Sequence, residues 1–160
     1  MSEIAGTHTE LKPLVGTDEA TIDNRGRILL GKKKRERLGD SFAMAIGEVG
    51  CICAYPEACW RERITEINSY PPNNQGRQKY SRIFLGDSDD DLNCDPQGRV
   101  VIPRKLQEIG KLKEKVLLVG CGDRLEIWDP EEYAAYLASP DDYGKERRVS
   151  RELAYKEMKS

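Results

Sequence analysis

Polar and apolar positions in this chain alternate in short, strand-length runs broken by glycine and proline, and helical spacing appears only in brief stretches between them. Aliphatic triplets at Ile28-Leu29-Leu30 and Val100-Val101-Ile102 predict two short strands, each entered from an Asp-x-x-Gly turn. Each triplet runs into a short helical turn, over residues 33–38 and 103–109, stopped by Gly39 and Gly110. Further strands are predicted at 42–46 with 51–55, and at 116–119 with 125–128. Pro56-Glu57 and Pro130-Glu131 then open two helices, because proline fits a first turn and an acid suits the positive end of the dipole. Ile64 and Ile67 are expected to face inward from the first of these, Ala134 and Leu137 from the second. Residues 77–85 predict one more helix, with Tyr80, Ile83 and Phe84 inward.

The elements repeat. Residues 21–39 and 93–110 align, with Asp23 on Asp95, Gly26 on Gly98 and Arg27 on Arg99, an offset of 72. The likeness continues downstream, where Tyr55-Pro56 and Trp60 correspond to Trp128-Asp129 and Tyr133. The pattern divides the chain into a flexible leader (1–14), a first module (15–68), a linker with a short helix (69–88), a second module (89–138) and a charged tail (139–160). In the tail, Val149 and Leu153 suit an exposed or partner-bound helix. Modules of this size bury too little surface to be secure alone, so they are expected to share a core or to be stabilised by assembly.

Composition narrows the function. The net charge is −2, which argues against indiscriminate nucleic-acid binding. The distribution says more. Residues 24–37 hold Arg25, Arg27, Lys32, Lys33, Lys34, Arg35 and Arg37 against the single acid Glu36, a local basic patch. No run approaches the ~18–20 apolar residues of a membrane span, and the first ten residues lack the basic head and apolar core of a secretion signal. A cytoplasmic protein is expected. Its five cysteines are expected to be reduced, with Cys51 and Cys53 on one side of a strand as small packing residues. No metal site and no cofactor are expected, since paired C-x-x-C knuckles are absent and the lone histidine is His8 in the leader. The same scarcity of histidine argues against an enzyme. Trp60, Trp128, Tyr55 and Tyr133 read as core or interface anchors. Two chance motifs fail. Residues 26–33 nearly spell a phosphate-binding loop but end in Lys33 where Ser or Thr is needed. The acidic stretch 87–91 lacks the glycine and final glutamate of a calcium loop and reads as a solvated turn.

These residues together resemble the MraZ family, bacterial transcription regulators with two AbrB-like (SpoVT-AbrB) domains. The resemblance is carried by Ile22-Asp23-Asn24-Arg25-Gly26-Arg27, by Tyr55-Pro56 with Trp60, by Arg82-Ile83-Phe84-Leu85-Gly86, by residues 95–103 and by residues 119–130. It implies an α+β, β-rich fold of two swapped-hairpin modules in a pseudo-twofold double-barrel, each followed by a helix. It further implies ring-shaped homo-oligomers that bind direct repeats in double-stranded DNA ahead of division and cell-wall genes, usually as repressors, at the nucleoid. Here Gly31 replaces the family's usual proline, a leader precedes the first module, the tail is long and charged, and residues 87–91 are unusually acidic.

Carried over, Asp23, Arg27, Asp95 and Arg99 are the DNA-binding turn residues, with Gly26 and Gly98 forming the turns. Arginine can read guanine O6 and N7 with two parallel bonds, while Arg25, Lys32, Lys33 and Lys34 are expected to add phosphate contacts. The aspartates are expected to hold the turns and orient the arginines. No small-molecule substrate and no membrane partner are expected. Two other readings stay open: an assembly protein on the same fold without DNA binding, and an antitoxin-like regulator.

Overall fold

A computed structural model describes residues 12–160; most of the leader thus lies outside the described residues. Strands β1 (Thr17–Thr21) and β2 (Arg27–Leu29), helix α1 (Lys32–Leu38), strands β3 (Phe42–Ile46) and β4 (Ile52–Pro56) and helix α2 (Glu57–Asn68) make up the first copy. Helix α3 (Gln75–Phe84) follows. The second copy has β5 (Asp89–Leu92), β6 (Arg99–Val101), α4 (Arg104–Ile109), β7 (Lys115–Gly120), β8 (Leu125–Trp128) and α5 (Pro130–Ala138), and α6 (Lys145–Lys159) ends the chain.

The fold is α+β, and the two copies share one sheet. Its order is β1-β7-β8-β4-β3-β5, and β2 and β6 pair with each other as a separate two-stranded ribbon. Exchanging each strand for its repeat partner reads the same order backwards, so the arrangement has a pseudo-twofold axis between β4 and β8. The first strand of each copy leaves its own module: β1 pairs with β7 and β5 pairs with β3, all antiparallel. This is a swapped arrangement, and it answers the size problem by giving both modules a common sheet with a shared core on each face.

Period-two alternation gives the sheet two buried faces. Phe42, Met44, Ile52, Ala54, Val116, Leu118, Leu125 and Ile127 pack with Ile28, Leu30, Val100 and Ile102 of the β2–β6 ribbon and with Leu38 and Leu106 of the short helices. Ala43, Ala45, Cys51, Cys53, Tyr55, Val119 and Trp128 pack on the opposite side against α2, α3 and α6. Leu14 is fully buried in the ribbon-side core and bridges Gly122. Burying such a side chain stabilises by about 1.5–3 kcal/mol, so the structural module begins before residue 15.

Three sequence expectations need correction. The acidic stretch is not merely a turn: Asp89–Leu92 is edge strand β5, with a register shift between Phe42 and Met44 and a positive φ of 55° at Asp91. Charge and irregularity on an edge discourage further strand pairing. The helix expected within the linker is α3, and its Tyr80 and Phe84 face inward as core residues. On α5, Leu137 is 58% exposed, and the contacts to Trp128 come from Tyr133 and Tyr136. The tail is not a loose appendage. Its helix α6 packs on α3, burying Arg151, Ala154 and Met158, while Val149 and Leu153 face outward. Asn74 ties the two helices at their ends, its side chain accepting from the Arg77 N–H and donating to the Met158 carbonyl.

Candidate nucleic-acid interface

The two Asp-x-x-Gly-Arg turns fold identically. In the first, the Asp23 N–H donates to the Arg27 carbonyl (2.9 Å) and the Gly26 N–H to the Asp23 carbonyl (3.0 Å). Asp23 Oδ1 accepts from the N–H groups of Arg25 and Arg27, both at 2.9 Å, and Oδ2 accepts from Arg27 Nε at 2.7 Å. In the second, Asp95 Oδ1 accepts from the N–H groups of Gln97 and Arg99 at 2.9 Å, and Oδ2 from Arg99 Nε at 3.1 Å. Gly26 and Gly98 sit at φ of 77° and 86°, a region that L side chains seldom adopt. The turns also lock each other: the Leu30 N–H donates to the Gly98 carbonyl (2.9 Å) and the Ile102 N–H to the Gly26 carbonyl (2.8 Å).

The aspartates are strongly held as anions. Chiefly through the Arg27 N–H, with the Arg27 side chain and Arg25 N–H adding to it, the Asp23 carboxyl is brought down to about 2. The Arg99 N–H lowers Asp95 in the same way. Each aspartate therefore fixes its arginine at Nε and leaves the outer guanidinium nitrogens to point elsewhere. Those of Arg27 make no protein hydrogen bond among the described residues, and Arg99 Nη2 has only a long contact to Gln97 (3.4 Å). The arginine side chains are 25% and 36% exposed.

Ribbon register decides how the arginines relate. Arg27 lies opposite Val101 and Leu29 opposite Arg99, so all four share one face. Diagonal neighbours on such a face are about 7–8 Å apart. Leu29 and Val101 are 58% and 50% exposed, so this face offers two arginines flanked by two aliphatic groups.

The basic residues divide. Arg25, Lys32 and Lys33 are exposed beside the turns. Lys34 is not available for phosphate: its side chain is 6% exposed, and Nζ donates to Asp18 Oδ2 (2.7 Å) and the Val15 carbonyl (3.1 Å). The repeat explains why, since Lys34 aligns with the fully buried Leu106. Two residues join the set. Arg104 of α4 lines a groove beside the first turn with Arg25 and Gln107. Arg35 of α1 reaches over the second turn, where a Cβ on Gly98 would stand 2.1 Å from its Nη1. Gln107, the repeat partner of Arg35, crowds Gly26 in the same way at 2.7 Å. Arg35 was visible in the basic run, but only this packing places it at a turn.

The family model described as "MraZ protein, putative antitoxin-like" matches the chain twice, at residues 14–82 and 85–152. The chain belongs to the MraZ family. Each MraZ match contains one Asp–Arg turn, and the break between them falls at the end of α3. A MraZ relative from Bifidobacterium longum is 33% identical over 129 residues, 81% of this chain and 85% of its own length. Relatives from Caldanaerobacter subterraneus subsp. tengcongensis and Clostridium acetobutylicum are 32% and 30% identical over 130 and 128 residues, each covering 80% of this chain and 89% of the relative. All three are named transcriptional regulator MraZ. Among the described residues, no helix is long and apolar enough to cross a membrane.

Proposed function

We propose that this protein is a transcription regulator that binds double-stranded DNA through the β2–β6 ribbon, with Arg27 and Arg99 reading base edges in the major groove. One observation carries the reading: two turns, related by the repeat, present aspartate-braced guanidinium groups on one face. A spacing of about 7–8 Å matches roughly two base steps of about 3.4 Å. Each outer pair of guanidinium nitrogens suits the O6 and N7 of guanine. Leu29 and Val101 on the same face suit thymine methyl groups. Arg25, Lys32, Lys33, Arg35 and Arg104 supply phosphate contacts, which position without specifying.

The finer reading follows the family resemblance: a ring of several copies on direct repeats ahead of division and cell-wall genes, acting as a repressor at the nucleoid. The antitoxin-like alternative, in which a tail wraps a toxin, has less support because α6 is packed on α3 of its own chain. Selection of bound duplexes from a random pool tests the base-reading role. Wild type is expected to enrich a repeated motif, and an Arg27→Ala/Arg99→Ala double variant to enrich none. Enrichment of the same motif by both proteins overturns the assignment.

A further inference from the structure

On the sheet face away from the ribbon, strand pairing gathers soft donors. Cys53 on β4 lies directly opposite Glu126 on β8, and Cys51 is two residues back along the same face. The sulfurs of Cys51 and Cys53 and a Glu126 carboxylate oxygen all lie within 4.8 Å of one another. Both cysteines are buried, and the Glu126 side chain is 13% exposed. Cys121, beyond the end of β7, lies beside Glu126, its Sγ donating to the Val119 carbonyl at 3.7 Å.

The surroundings resemble a prepared ligand set. Glu126 is oriented by two outer donors: Trp128 Nε1 at 2.9 Å on Oε1, and Arg124 at 3.0 Å on Oε2. Arg124 approaches Oε2 with both Nε and Nη2, whereas Oε1, with Trp128 as its one donor, keeps a lone pair, as in metal sites whose ligands are fixed from behind. Gly47 leaves the space, since a Cβ there would stand 2.8 and 2.9 Å from the two sulfurs. Charge points the same way. Arg151 is buried, its Nη2 donates to the Glu48 carbonyl (2.6 Å), and its Nε has no hydrogen-bond partner among the described residues. Burial presses against its charge, which Glu48 and the nearby Cys51 oppose. Buried cations call for compensating anions, and thiolates bound to a metal supply them.

We propose that Cys51, Cys53 and Glu126 bind a divalent thiophilic cation of the zinc class, with Cys121 turning from the Val119 carbonyl to become the fourth donor. Each ligating thiol loses its proton to solvent as its sulfur–metal bond forms. Three thiolates and one carboxylate around a doubly charged ion leave a charge of −2, which Arg124 and Arg151 neutralise. With four protein donors the site is closed and structural. It ties the β3–β4 hairpin to β8 and, through Arg151, to α6.

Cobalt substitution tests this independently of DNA binding. The full-length protein is reduced, stripped with chelator and titrated with Co²⁺. One ion per chain is expected, with a thiolate-to-cobalt charge-transfer band and the visible bands of tetrahedral cobalt, both abolished by Zn²⁺. Cys51→Ser and Cys53→Ser are expected to weaken binding at least about ten-fold, while Cys94→Ser leaves it unchanged. A wild-type spectrum with only weak octahedral bands overturns the proposal, as does tight uptake that survives Cys51→Ser/Cys53→Ser. Because the wild-type spectrum alone decides, a variant that fails to fold does not rescue it.

Discussion

Lys34 holds in α1 the place that Leu106 holds in α4, 72 residues further on, and its ammonium is turned back to Asp18 rather than out to solvent. Its role is therefore packing plus one ion pair. Lys34→Leu is expected to leave DNA affinity within about two-fold and to be neutral or slightly stabilising, because Asp18 is 56% exposed and regains water. Lys33→Ala is expected to weaken binding to all sequences alike and to lower the salt slope by about 1. Fluorescence anisotropy at several salt concentrations separates the two, and a large loss of affinity in Lys34→Leu returns that lysine to the interface.

The aspartate braces set an acid limit. Asp23 sits near 2 in the folded chain against an ordinary 3.8, so it favours the folded state when ionised. Its contribution is complete above the ordinary value and disappears as pH falls from about 4 to about 2. Asp23→Asn keeps an acceptor for the backbone but loses the charge on Arg27. At neutral pH it is expected to bind DNA less tightly than wild type, and its acid-unfolding curve to be shallower through that window. Parallel curves for the two proteins rule out the brace.

Gly31 has a backbone already suited to proline. Its φ is −63°, close to the −51° of its repeat partner Pro103, and a Cβ there meets nothing within 4 Å among the described residues. Gly31→Pro is expected to stabilise by about 0.4–1 kcal/mol by restricting the unfolded chain, read as a shifted denaturant midpoint with unchanged slope. A lower midpoint shows that the Gly31 N–H or the preceding residue is constrained in some other way.

Assembly is expected to use apolar groups away from the ribbon. Leu137, Val149 and Leu153 are 58%, 42% and 60% exposed on α5 and α6. In the ring reading the native mass exceeds two chains at micromolar concentration. Val149→Glu/Leu153→Glu is expected to reduce that mass while preserving the fold, measured by light scattering and circular dichroism. An unchanged mass moves the contact to another surface.

The turns were legible because a single Asp, Gly and Arg at fixed spacing determine a local structure, and the chain displays that structure twice. Lys34 was misjudged by its charge, although its alignment with Leu106 was available in the same repeat. The inward face of α5 differs from its expectation for another reason. A helix nine residues long offers apolar groups on several sides, and Tyr133 and Tyr136 outcompeted Ala134 and Leu137 by stacking on Trp128. The strand exchange and the meeting of Cys53 with Glu126 were beyond local pattern altogether, because 73 residues separate the two and only sheet register joins them.

The exchange of β1 and β5 means that neither half of the polypeptide contains its own edges. A fragment ending near residue 86 would lack a cover for β3 and would carry β1 with nowhere at home to lay it. Its natural recourse is a second copy of itself, each lending its leading strand to the other, so that the approximate symmetry within one chain becomes an exact dyad between two. The present chain then reads as such a pair fused end to end, free thereafter to let its halves diverge: one burying a lysine where the other keeps a leucine, one setting a glutamine beside Arg99 where the other sets Arg25 beside Arg27.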